Sequence, residues 1–233
     1  MKIPAGRADS PKAVLFDAYG TLFDVYSVAA VAEQRFPGQG SALAQRWRDK
    51  QIDYTRLTSM SGAPGEHYLP FWDLTVAGLR YAAASLRLDL TPAVADELMN
   101  QYRHLSAYPE NREVLQALRD RGIRAGILSN GDPEMLAVGV KSAGYAGLVD
   151  PLLSVHALRR FKTDSAAYAL GPKALDLPAR EILFVSSNGW DALGATWYGY
   201  TTLWVNRAGL PPEQIGPPPT RTGTSLRDVL SFF

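Results

Sequence analysis

Apolar and polar positions follow three successive rhythms along this chain. Ala13 to Phe16 is a continuous apolar run that stops at a carboxylate, Asp17, and is broken by Gly20 and Thr21. That is how a buried parallel strand looks when it delivers one acid to its carboxyl end. After Asp24 the rhythm turns helical. Ser27 to Phe36 is short and ends at Pro37 and Gly38. Ser41 to Met60 reads as a long helix with Leu43, Trp47, Tyr54 and Leu57 on one stripe and Arg48 at its edge. A breaker cluster follows from Ser61 to Gly65, then a helix from Pro70 to Leu86 carrying Trp72, Val76, Leu79 and Ala83. Thr91 and Pro92 supply an N-cap and a first-turn proline for a helix to about Leu105.

From Tyr108 strands and helices alternate. Helices are predicted over Glu110 to Arg121 (closed by Gly122), from Asp132-Pro133, over Ser165 to Leu175, and over Asp191 to Tyr198. Strands are predicted over Arg124 to Leu128, Leu152 to Val155, Ile182 to Val185 and Thr202 to Val205. Pro211 to Thr220 holds five prolines and reads as a surface loop, and Ser225 to Phe232 as a short final helix. This alternation implies an α/β fold: a doubly wound, Rossmann-like parallel sheet. The core is expected in two segments, 11–24 and 108–233, with a helical cap, 25–107, inserted after the first strand. An insert there roofs the carboxyl end of that strand. The alternative is one continuous domain with the helices packed elsewhere.

Composition narrows the chemistry. A net charge of +1 gives no reason to expect nucleic acid or an anionic membrane as partner. There is no cysteine, so disulfides, thiolate metal sites and cysteine nucleophiles are excluded. His67, His104 and His156 lie far apart in sequence and show no metal-ligand spacing. Met1 to Ser10 is polar, lacks the apolar core of a signal peptide and reads as a loose tail. No stretch is long and apolar enough to span a bilayer, so a soluble cytoplasmic protein is expected.

Four strand ends, or the loops beyond them, carry polar side chains: Asp17 with Thr21, Ser129 with Asn130, Lys162, and Ser186 with Asn188 and Asp191. In a parallel sheet these ends converge on one edge, where ligands bind. Each has a bland reading. Asp17 could close an ordinary turn, Ser129-Asn130 a helix start, Lys162 a solvated charge, and Asp191 a favourable first-turn acid. The four together, in this order, point to a site.

The pattern of Asp17-x-x-Gly20-Thr21, then Ser129-Asn130, a lone Lys162 and a late Asp191 resembles the haloacid dehalogenase superfamily. FDAYGTLFDV, W-R-x-K-Q from Trp47 to Gln51, ILSNG, F-K-x-D-x-x-x-Y and LFVSSNxWD resemble its L-2-haloacid dehalogenase branch more closely. The resemblance implies hydrolytic loss of halide from short 2-haloalkanoic acids with inversion, no cofactor, a small-molecule haloacid and a halide ion as partners, and a homodimer. It also implies roles. Asp17 is the nucleophile and Lys162 balances its charge. Thr21, Ser129 and Asn130 position nucleophile and substrate carboxylate. Arg48 receives the halide. Tyr19, Phe71 and Trp190 form an apolar wall. Ser186, Asn188 and Asp191 hold Lys162 and the hydrolytic water, and Tyr168 offers a hydroxyl near the substrate. Out of context, Arg48 reads as a solvated helix charge and the aromatics as core.

The residue types fit that branch. Phosphatases of the superfamily carry a second acid two residues after the nucleophile and a further one in the fourth motif. Here those places hold Tyr19 and Ser187. So few carboxylates make a poor magnesium site, and a departing halide needs neither metal nor proton. Three features depart from the branch: Asp49 beside Arg48, where an amide is common; Thr163 after Lys162, where proline is common; and the Gly/Pro segment Ser61 to Pro70. A phosphatase and a non-catalytic scaffold on the same fold remain as rival readings.

Overall fold

The computed structural model describes residues 10–233. The expectation of a loose tail falls almost wholly on residues 1–9, outside the described residues. Six parallel strands form one sheet in the order β3-β2-β1-β4-β5-β6. They are β1 (Ala13–Phe16), β2 (Arg124–Ser129), β3 (Leu152–Ser154), β4 (Ile182–Ser186), β5 (Thr201–Val205) and β6 (Arg221–Gly223). β1 is fully buried and pairs with β2 on one side and β4 on the other, Phe16 lying beside Ile127 and Val185. The order reverses direction at β1. That makes a topological switch point, whose crevice is the usual ligand site of such sheets.

Helices α1 (Ala29–Arg35), α2 (Gly40–Met60), α3 (Phe71–Ser85) and α4 (Pro92–Arg103) lie between β1 and α5 (Asn111–Asp120). α6 (Pro133–Ser142), α7 (Ser165–Leu175) and α8 (Gly189–Tyr198) complete the crossovers between strands. The helical and strand rhythms thus correspond to the observed elements, with ends shifted by one or two residues, where caps fray. The expected short final helix is present as a 3-10 helix, Leu226–Phe232. β6 has no counterpart in the sequence pattern, because a three-residue edge strand reading Arg-Thr-Gly has no apolar alternation.

The stripe expected on α2 also changes. Leu43 and Trp47 are buried, but Leu57 is 60% exposed. The buried face continues instead through Arg48, Gln51 and Thr55. These are polar residues at helical spacing, so an apolar-only pattern misplaces the inward face. α7 holds Pro172 in its interior. A proline there has no N–H to offer the carbonyl four residues back. That carbonyl, of Tyr168, accepts from the Tyr200 hydroxyl at 2.5 Å instead. No helix among the described residues is long and apolar enough to cross a membrane.

Candidate active site

β1 ends at Asp17, and the chain turns at once through Gly20, whose φ of 95° favours glycine. The turn brings Thr21 back, so its hydroxyl donates to Asp17 Oδ2 at 3.0 Å. Asn188 Nδ2, just beyond β4, donates to the same oxygen at 2.9 Å. Lys162 Nζ donates to Asp17 Oδ1 at 3.1 Å and to Asp191 Oδ2 at 3.1 Å. All three charged side chains are buried. The strand-end residues therefore converge as expected, across sequence separations of up to 171 residues.

One ammonium cannot neutralise two buried carboxylates, and the titration of the group reflects this. Burial pulls the Lys162 ammonium down, but Asp17 and Asp191 on either side outweigh it, so its pKa is raised. Burial pushes the Asp191 carboxyl up to about 6, against the pull of Lys162 and with added repulsion from Asp17. Lys162 stays charged because it has two acids to draw on, whereas Asp191 bears the excess negative charge.

Other expected residues touch different partners from those inferred. Ser186 Oγ accepts from the backbone N–H of Asn188 at 3.1 Å and so shapes the loop; of Ser186, Asn188 and Asp191, only Asp191 bonds Lys162. Asn130 Oδ1 accepts from the backbone N–H of Lys162 at 2.9 Å, fixing the approach of the lysine. Ser129 Oγ accepts from Gly131 N–H at 3.1 Å. The Tyr168 hydroxyl donates to Asp191 Oδ1 at 2.8 Å and lies behind the ion pair rather than in the cavity wall. Burial first, then Asp191, raises the Tyr168 pKa well above its ordinary value, so it stays a donor.

The α2 side is built differently. Arg48 donates to Gln51 Oε1 at 2.9 Å, to the Tyr19 carbonyl at 2.9 Å and to Asn188 Oδ1 at 3.2 Å. It is 8% exposed, and among the described residues no carboxylate lies within ion-pair distance. Asp49 is turned away, accepting from Gln45 on its own helix at 2.9 Å. Gln51 is held in turn by Thr75 and Tyr102, to which its Nε2 donates at 2.6 and 3.0 Å. Sequence reasoning quoted Gln51 inside a motif but gave it no part. Its signal was a polar residue three places from Arg48, on the buried face.

Asp17, Tyr19, Arg48, Phe71, Ser129, Asn130, Asn188 and Trp190 line one small cavity, with Ile52 and Thr55 completing it. The cavity they leave is small, about 10 Å³, room for about one water. The Tyr19 ring stacks 5.8 Å from Tyr102 and lies 5.5 Å from Phe71. A Cβ at Gly131 would fall 2.6 Å from the Tyr19 ring, so glycine is required beside that wall. An outer groove shares Arg48, Ile52, Asn188 and Trp190 with the cavity and opens past Arg207.

Comparison with known proteins gives the same direction. Residues 11–199 match the family described as haloacid dehalogenase-like hydrolases. The (S)-2-haloacid dehalogenase of Pseudomonas sp. (strain YL) is 40% identical over 225 residues, 97% of this chain and 95% of that protein. Among solved structures, the L-2-haloacid dehalogenase RSc1362 is 60% identical, with a TM-score of 0.93 over 96% of this chain and 98% of the other. The L-2-haloacid dehalogenase of Xanthobacter autotrophicus with chloropropionic acid covalently bound is 33% identical, with a TM-score of 0.85 over 94% and 96%. The chain belongs to the haloacid dehalogenase-like hydrolases.

Proposed function

We propose that the chain is a 2-haloacid dehalogenase that hydrolyses short L-2-haloalkanoic acids to D-2-hydroxy acids, without a metal, through an ester on Asp17. The observation that carries this is the contrast across the cavity: an Asp17 carboxylate clasped by Lys162, Thr21 and Asn188 faces an arginine that, among the described residues, has no acid to neutralise it. An oxygen of Asp17 attacks C2, the carbon–halogen bond breaks, and halide leaves with the bonding pair toward Arg48. Ser129, Asn130 and nearby backbone N–H groups orient the substrate carboxylate, while Tyr19, Phe71 and Trp190 limit its solvation. Water then adds to the side-chain carbonyl of the ester. Lys162 stabilises the oxyanion, and the bond from Cγ to the product oxygen breaks. The adduct in the Xanthobacter relative supports a covalent route.

A phosphatase is disfavoured by the donor set. Asp17 and Asp191 both pair with Lys162, and Tyr19 and Ser187 occupy the positions where a phosphatase carries acids. We further propose that 25–107 acts as a cap over the core formed by 11–24 and 108–233, and that the protein is a cytoplasmic homodimer. Exposed Leu57, Met60 and Tyr81 on α2 and α3 support a partner surface there.

Isotope labelling tests the route. In heavy-oxygen water with enzyme in excess, the first-turnover hydroxy acid is expected to carry ordinary oxygen in its new hydroxyl, and label is expected in Asp17. Heavy oxygen in that hydroxyl, with Asp17 unlabelled by mass spectrometry, sinks the ester mechanism in favour of direct attack by water.

A further inference from the structure

Asp132 stands just before α6 with Pro133 behind it, the sequence signature of a residue that caps its own helix. Its side chain makes no cap bond to α6. Both carboxylate oxygens instead cross to the helical insert and cap α3, whose own N-cap, Pro70, supplies no side-chain acceptor. Phe71 N–H donates to Oδ1 at 3.1 Å and Trp72 N–H to Oδ2 at 2.8 Å. His156 Nδ1 lies 3.0 Å from Oδ1. A carboxylate only accepts, so that nitrogen carries the hydrogen. Tyr68, at the end of the Gly/Pro segment, reaches the same His156 Nδ1 at 3.0 Å and stacks on Phe161, 5.3 Å away.

The residue whose amide Asp132 fixes is Phe71, whose ring lines the substrate cavity against Tyr19 and Phe161. The bridge therefore joins the loop after β2, where Asn130 follows the strand's last residue Ser129, to the opposite wall of the pocket. We infer that Asp132, steadied by His156, is a positioning residue that sets Phe71 and thereby the length of acid the cavity accepts. This inference rests on the dehalogenase reading. A charged acceptor on two helix-terminal N–H groups is a stronger and more directional hold than a neutral cap. The sequence cannot reveal it, because its target lies 61 residues away.

The test compares halide release from chloroacetate, 2-chloropropionate and 2-chlorobutyrate by wild type, D132N, F71A and the double variant. D132N keeps the shape and one acceptor but turns the other oxygen into a donor facing an N–H. Its kcat/KM on 2-chloropropionate is expected to fall about tenfold through loss of orientation. The preference for 2-chloropropionate over 2-chlorobutyrate is expected to narrow, and D132N is expected to add nothing on top of F71A. An unchanged substrate ratio in folded D132N, or effects that simply multiply in the double variant, overturns the inference. D132S, which keeps one acceptor, replaces D132N if that variant does not fold, and the same ratio decides. If neither folds while F71A does, Asp132 is a structural cap alone and the inference is lost. If wild type releases no halide from any of the three acids, the dehalogenase reading has failed instead. Amide exchange then decides on Asp132: acceleration in D132N confined to residues 71–75 supports the hold on α3, and unchanged exchange overturns it.

Discussion

The two walls of the cavity treat charge in opposite ways. On the core side, two carboxylates share one ammonium, every member buried. On the α2 side, the buried Arg48 guanidinium is held, among the described residues, by neutral acceptors alone: an amide oxygen from Gln51, a carbonyl from Tyr19 and an amide oxygen from Asn188. Burying a charge without a counter-charge is costly, so such an arrangement marks a place built to receive one. The core wall thus holds one acid more than its ammonium can match, and the α2 wall one unmatched positive charge among the described residues. Asn188 joins them, donating to Asp17 and accepting from Arg48.

The largest effect is expected at the core. D17N should reduce halide release by on the order of 10⁴-fold or more, as loss of a nucleophile does, while circular dichroism stays native. Substantial residual turnover would assign the chemistry elsewhere. Next, K162M should lower both activity and stability, the latter by about 3–5 kcal/mol, because it strands two buried acids. R48M should cost about 1 kcal/mol, since it leaves only neutral partners, yet should slow turnover by roughly 10²-fold. Urea melts beside halide release check this. Equal stability losses would erase the distinction between the walls.

A third effect separates activity from stability by pH. The Asp191 carboxyl is raised to about 6 in the fold, from an ordinary 3.8. The folded state therefore holds that proton more tightly than the unfolded chain, and this contribution to stability is full below 3.8 and lost as pH rises through about 6. Activity should move the other way, falling as pH drops below about 6, because a neutral Asp191 no longer steadies Lys162. Turnover and thermal melts across that range check both slopes. Loss of the stability slope in D191N is the expected control, and an unchanged slope assigns it to another group. A smaller effect tests the α2 wall: Q51E gives Arg48 an acid of its own and should lower turnover more than Q51L, which merely removes an acceptor. Last, excess chelator should leave halide release unchanged; collapse restored by magnesium would reverse the mechanism.

Most of the core wall was legible because its residues stand at the ends of apolar strands. Asp17, Ser129 and Ser186 each close a short buried run, and a parallel sheet brings such ends together. Arg48 was legible only through the motif around it, since a helical arginine resembles a solvated charge by itself. Three features were hidden. Leu57 continued an apolar stripe that the helix does not bury, because its inward face is polar. Gln51 carried no charge to draw attention to it. Asp132 sits in a sequence that spells a local cap, while its partners are set by how α3 crosses the core.

The central place of β1 in the sheet has a consequence for how the chain comes to be folded during synthesis. β1 ends at Phe16, but its neighbours begin at Arg124 and Ile182. At about 5–20 residues per second, the growing chain carries an apolar, unpaired strand for several seconds before either edge can be satisfied. The α2–α3 hairpin can form meanwhile from local contacts alone, whereas the two edges of β1 close one after the other, each across a long loop. Asp17 therefore lacks its full set of partners until Asn188 emerges, and helices α1 to α4 are complete before that set exists.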